Sequence, residues 1–212
     1  MMGMDVFAWI LDAVFPPRES ERTVRGAVPD ERYMRLNPFP LERAGFVSTA
    51  LRPYRSPLVQ AVIQEAKFHA NTRALSLLGK VLREYLLELS SEEAGLSGKI
   101  VCVPIPLSRK RKSEREYNQV EKILEFALSN DIDAVLDTSL LSRTRDTLPQ
   151  TTLTREARLL NMGGAFVSAS ADPSITYVVV DDVTTTGATL QDAVRALEEA
   201  GATHIIPLAL AH

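Results

Sequence analysis

The sequence predicts an α/β protein: a mainly parallel, twisted sheet flanked by helices, with an N-terminal helical and loop extension. Three observations carry this expectation. Lys99–Val103, Ile175–Val180 and His204–Leu210 are apolar runs rich in β-branched residues, too continuous for strands buried on one face only. Between them, apolar residues recur at helical spacing. Strands alternating with helices, several of them wholly apolar, fit a parallel sheet covered on both sides.

Taken in order, Val6–Phe15 reads as a short amphipathic helix docked on the protein's own body, because Asp5 and Asp12 interrupt what a signal peptide would need. Arg18–Leu41 is polar, rich in Arg, Glu and Pro, and aperiodic, and is expected to be a connector. Val59, Val62, Ile63 and Ala66 mark one helix and Leu75, Leu78, Leu82 and Leu89 a second, broken near Ala70-Asn71-Thr72. The strand at Lys99–Val103 ends in Pro104-Ile105-Pro106. Val120, Ile123, Leu124, Ala127 and Leu128 mark a third helix. Strand-like pieces occur in Val135–Leu141, and Ser142–Thr154 is a polar, threonine-rich loop. A short helix is expected over Arg155–Leu160 and a strand over Ala165–Ser168. Leu190, Ala193, Val194 and Leu197 define a last helix that stops at Gly201, a residue suited to the position after a helix end. The expected division is an extension over residues 1–53 and a main domain over 54–212.

The composition narrows the function. The 212 residues carry a formal net charge of −3 and are 45% hydrophobic, ordinary for a globular protein. An acidic balance disfavours non-specific binding to duplex DNA. No apolar run reaches membrane-spanning length, so no membrane partner is expected and the cytoplasm is the natural compartment. The single cysteine, Cys102, lies inside an apolar strand and reads as a small buried hydrophobe. One cysteine excludes an intrachain disulfide and a cysteine-based zinc cluster.

The chemistry concentrates in Tyr177–Leu190. An apolar strand delivers Asp181 and Asp182 to the carboxyl edge of a parallel sheet, where open α/β sheets place their ligands. The turn Val183-Thr184-Thr185-Thr186-Gly187-Ala188-Thr189 then opens a helix whose first amides lack intrahelical partners and sit at the positive end of the helix dipole. Such a turn favours a dianionic phosphate, with threonine hydroxyls as added donors and Gly187 allowing close approach. Two carboxylates beside an anion site are explained by a vicinal diol: the two hydroxyls of a ribose offer two donors to two acceptors. This segment closely resembles the phosphoribosyl diphosphate (PRPP) signature of the type I phosphoribosyltransferases.

Further segments extend the resemblance. Pro106, Leu107, Ser108 and Arg109 leave a buried strand at the same sheet edge, followed by Arg115, Glu116, Tyr117, Asn118 and Gln119. A polar loop carries Arg143, Arg145, Thr147, Gln150 and Leu153, then Arg158 and Asn161. With Lys67-Phe68-His69, Gly164-Ala165-Phe166 and Leu197–Ala202, the chain from about Tyr54 onward resembles the ComF family of competence-associated, phosphoribosyltransferase-like proteins. There are two departures. Glu116 occupies a place where the family often has glycine, and Phe15-Pro16-Pro17 is not followed by the cysteines of the family's zinc element, so no zinc is expected.

The resemblance implies a type I phosphoribosyltransferase fold that binds PRPP or a related ribose phosphate, with Mg²⁺ carried by the ligand. Asp181 and Asp182 would be catalytic and hold the ribose. Residues 183–189 would hold the 5′-phosphate. Pro106, Leu107, Ser108, Arg109, Arg115, Asn118 and Gln119 would take the diphosphate. Arg143, Arg145, Gln150 and Arg158 would lie in a closing loop. The sequence ends at His212 directly after the last strand, so a region holding the acceptor is expected from the N-terminal helices, with Lys67 facing the site. Two functional readings stand: phosphoribosyl transfer to an acceptor, or a non-catalytic module that senses PRPP or nucleotides or assists DNA uptake, with single-stranded DNA or recombination proteins as partners.

Overall fold

The computed structural model describes residues 17–26, 38–43, 45–93, 99–108, 112–113, 115, 117–128, 132–144 and 164–212. The elements, in chain order, are α1 (Glu19–Gly26), β1 (Phe39–Arg43), β2 (Phe46–Arg52), α2 (Pro57–His69), α3 (Thr72–Glu93), β3 (Ile100–Pro104), α4 (Gln119–Ala127), β4 (Ala134–Leu136), β5 (Leu141–Arg143), β6 (Phe166–Ser168), β7 (Thr176–Val183), α5 (Ala188–Glu199) and β8 (His204–Ala211).

The apolar runs occupy the middle of a six-stranded sheet, in the order β1-β2-β8-β7-β3-β4. Every pairing is parallel except the β1–β2 hairpin. Side chains alternate between faces, and both faces are covered. Ile100, Cys102, Val178 and Val180 join a core with α1 through α4. Val101, Val103, Tyr177 and Val179 join a second core with α5 and the small antiparallel sheet of β5 and β6. Burial on both sides explains why β3 and β7 read as unbroken hydrophobic runs. Cys102 is fully buried, and burial pushes its thiol up to about 12.

The chain leaves β3 through α4 to β4 on one side, and leaves β7 through α5 to β8 on the other. The strand order therefore reverses between β3 and β7, and the crevice beyond their carboxyl ends is where such sheets bind ligands. The sheet bond from Ile105 N–H to the Val180 carbonyl (2.9 Å) keeps the two strand exits side by side.

Three expectations need correction. Residues 18–41 are not simply a connector: α1 lies within them and β1 begins there. The α1 helix is held by a tertiary contact that its own periodicity does not reveal. Arg18 and Ser20 both donate to the buried carboxylate of Glu65 on α2. Second, β2 falls within residues 1–53 yet pairs with β8 in the main sheet (Thr49↔Leu208, Ala50↔Ala209), so that part of the extension is sheet. Third, β7 continues beyond Val180 to Val183, because β8 keeps pairing with it as far as Val183↔Ala211. Both aspartates are thus strand residues. The break between α2 and α3 is where the sequence places it, with Ala70 in a left-handed conformation (φ 47°). The proposed elements at Val6–Phe15 and Arg155–Leu160 lie outside the described residues. No helix among the described residues is long and apolar enough to cross a membrane.

Candidate functional site

The crevice between the exits of β3 and β7 is built from four pieces. The first is the turn from β7 into α5. Thr184 is buried, and Thr185, Thr186 and Thr189 are exposed. Gly187 has φ +79°, which favours glycine, and a Cβ there would lie 3.4 Å from the Phe46 ring. The Gly187 carbonyl accepts the amide of Gln191, and the Thr186 hydroxyl reaches the Ala188 N–H at 3.4 Å. Val183 and Ala188 are half-buried flanks of this turn. The geometry is a tight, hydroxyl-bearing loop that leads straight into a helix N-terminus, the arrangement suited to a phosphate.

The second piece is the acidic pair, whose members differ. Asp181 is half-buried, and one of its oxygens accepts the Asp182 N–H at 2.8 Å. Asp182 is buried, and its Oδ1 accepts the Val183 N–H at 2.7 Å. Its Oδ2 accepts from Gln119 Nε2 (2.5 Å) and pairs with Lys67 Nζ (2.8 Å). This ion pair joins the last turn of α2 to the end of β7.

The third piece is the β3–α4 connection. Pro106, Leu107 and Ser108 are half-buried at the strand exit. Asn118 caps α4, its Oδ1 accepting the Val120 N–H at 3.0 Å while its amide donates to the Ile105 carbonyl at 3.1 Å. Gln119 accepts from Arg115 through Oε1 at 3.3 Å and donates to Asp182 through Nε2. Asn118 and Gln119 are both buried: one closes the helix start against the strand exit, the other links Arg115 to Asp182. Arg115 also lies 4.9 Å above the exposed ring of Phe68.

The fourth piece is the end of α2. The Tyr117 hydroxyl donates to the Ala66 carbonyl (2.6 Å) and accepts the Ala70 N–H (2.9 Å), fastening the turn that carries Lys67.

Arg143 sits on β5, its guanidinium 5.1 Å above the Phe166 ring. Arg109, Arg145, Gln150 and Arg158 lie outside the described residues, as does Glu116. Sequence reasoning missed two contributors. Phe46 opens β2 and flanks Gly187. His212 places Nδ1 at 3.0 Å from the Thr184 carbonyl, while the Thr184 N–H donates to the Ala211 carbonyl, so the end of β8 staples the threonine turn. An aromatic after a glycine and a histidine after a strand carry no local signal of these roles.

A mainly parallel sheet with helices on both faces is a type I phosphoribosyltransferase-like fold. No protein-family model matches the chain. It is 30% identical over 149 residues to the DNA utilization protein YhgH of Escherichia coli (strain K12), a stretch covering 69% of this chain and 64% of that protein. It is 33% identical over 106 residues to competence protein F of Haemophilus influenzae, covering 49% of this chain and 46% of that one. Against competence protein ComFC of Streptococcus pneumoniae the figures are 31% over 122 residues, 58% and 52%. The chain is a relative of the ComF competence proteins, and it matches less than two thirds of the length of these relatives.

Proposed function

We propose that the chain binds PRPP as its Mg²⁺ complex at the β3/β7 switch point and transfers the phosphoribosyl group to an acceptor, within a process related to competence and DNA uptake. One observation carries this reading: the threonine turn at a helix N-terminus and the Asp181–Asp182 pair meet in one crevice with the β3 exit. A ligand that satisfies both carries a phosphate and a vicinal diol. The competence names belong to the relatives, and they supply the process.

The chemistry follows from the residues. The turn over 184–189 fixes the 5′-phosphate and so orients the ring. The carboxylates at positions 181 and 182 hold the ribose hydroxyls and place negative charge near the anomeric carbon. There, bond breaking develops positive, oxocarbenium-like character that such charge stabilises. Half-buried Asp181 is an oxygen donor of the kind Mg²⁺ prefers, which fits a cation carried in by ligand oxygens. That cation would neutralise the departing diphosphate. Arg115, linked through Gln119 to Asp182, is a cation placed to steer the same group.

A second reading is favoured by the exposed Phe68 ring with Arg115 stacked on it, since an aromatic and an arginine together form a platform for single-stranded bases. In that reading the chain binds ribose phosphates without turnover and contacts single-stranded DNA at this edge. Calorimetric titration with PRPP, with and without Mg²⁺, tests the first reading. Wild-type protein should bind in a Mg²⁺-dependent manner, and Asp181→Asn/Asp182→Asn should lose at least about tenfold in affinity, the cost of removing charge-assisted hydrogen bonds. A folded wild type that ignores PRPP refutes it and makes single-stranded DNA the next ligand to titrate.

A further inference from the structure

We propose that Lys67 is a mobile counter-charge that selects ligands bearing a diphosphate. In the free protein it neutralises Asp182, and it moves to the ligand's diphosphate when ribose hydroxyls take over that carboxylate. This rests on the ribose-phosphate reading given above.

The geometry supplies the argument. The Asp182 carboxylate already receives three donors: the Val183 amide on Oδ1, and Gln119 and Lys67 on Oδ2. A ribose hydroxyl that binds there must displace one. The Val183 amide belongs to the strand and cannot leave. Gln119 opens α4 and is held from its other end by Arg115. Lys67 alone of the three combines a long flexible stem with a compact charge. Its backbone stays in place, because Tyr117 clamps the last turn of α2 at Ala66 and Ala70. Lys67 can therefore swing without the helix moving.

The displaced ammonium needs a new partner, because the Lys67 side chain is 18% exposed and that of Asp182 only 7%. An ammonium in so sheltered a place is costly without an anion. Ribose 5-phosphate brings one phosphate, and the threonine turn takes it. A ligand with a diphosphate on the anomeric carbon brings a second anion, between the acidic pair and the β3–α4 segment that holds Arg115. Lys67 arises beside that space.

The test compares wild type with Lys67→Met by calorimetry, using Mg²⁺–PRPP, ribose 5-phosphate and Mg²⁺–diphosphate as probes. PRPP and diphosphate should bind about ten- to a hundredfold more weakly to the variant, as expected for a lost charge-assisted contact. Ribose 5-phosphate should bind equally well or more tightly, because its hydroxyls no longer compete with an ammonium. Equal weakening of PRPP and ribose 5-phosphate would mean that Lys67 only supports the structure, and would overturn the proposal. A wild type that binds neither sugar phosphate refutes the underlying site, a different outcome. Should Lys67→Met fail to fold, Lys67→Met/Asp182→Asn leaves no lone buried charge. Compared with Asp182→Asn, it should lose about tenfold or more in diphosphate affinity, and unchanged affinity overturns the proposal.

Discussion

Glu65 is a fully buried acid, and its partners explain how it remains charged. Burial alone would raise its carboxyl, but hydrogen bonds from Arg18, Ser20 and Asn71, with the Arg18 charge, outweigh that and bring it down to about 2. Because the folded value lies below the ordinary 4.5, the stabilisation is fully present above about pH 4.5 and is lost as pH falls toward 2. The shift corresponds to about 3 kcal/mol at most, less in practice because the Arg18 side chain is 50% exposed. Glu65→Gln should therefore destabilise at pH 7 by roughly 1–3 kcal/mol and show a weaker stability loss between pH 4.5 and pH 2, read by urea denaturation across pH. An acid limb identical to wild type would contradict this assignment. Cys102 makes the opposite case. With its thiol pushed up to about 12 by burial, it should resist thiol reagents in the native protein and react only on unfolding, which mass spectrometry of alkylated samples reads directly.

At the scale of elements, α3 and α4 approach each other closely at Gly79. A Cβ on Gly79 would lie 2.5 Å from the Phe126 Cβ and 3.1 Å from the Ile123 carbonyl oxygen. Backbone is not free to retreat, so Gly79→Ala should cost about 1–3 kcal/mol despite the better helix propensity of alanine. Thermal denaturation gives the answer, and a stabilised variant would show that the two helices can part at no cost. The α4 helix starts the site as well as the packing, since its cap Asn118 also holds the Ile105 carbonyl at the β3 exit. Asn118→Ala removes both contacts and should cost about 1–2 kcal/mol in stability while weakening PRPP binding. The helix is legible in the sequence as a periodic apolar run from Val120, whereas Asn118 as its cap comes from the structure. The cap's second bond to Ile105 depends on where β3 ends in space.

For the molecule as a whole, the sheet limits its own edges. One edge strand, β4, has three residues, and the other, β1, carries Pro40, both unfavourable for pairing with another chain. The proposed ligand site lies between the inner strands β3 and β7, so a ligand bound there would join segments from α2, the β3–α4 connection and the β7–α5 turn. Binding should then stabilise the fold. PRPP with Mg²⁺ at a hundred times its dissociation constant should add about 2.7 kcal/mol, a rise in Tm on the order of 5–10 °C, visible in a thermal-shift experiment. Absence of any shift at saturating ligand would count against a site that spans these elements.

By itself the sequence determined the parts whose physics is local. The apolar runs of β3, β7 and β8 announce strands buried on two faces. The periodicities of α2 to α5 announce helices, and the apolar run before two acids and a threonine-rich turn announces a strand that leads into a helix. Only the tertiary structure decided what long-range contacts hold. It recruited β2 from the N-terminal region by pairing it with β8, and stabilised α1 through Glu65. It buried Asp182 under Lys67 and Gln119 while leaving Asp181 half-buried, and set Phe46 and His212 against the threonine turn. The physical reason is the same in each case. A hydrophobic period or a turn residue acts within a few positions of itself, whereas a buried ion pair or a strand pairing depends on groups far apart in the chain that meet only after the sheet has formed.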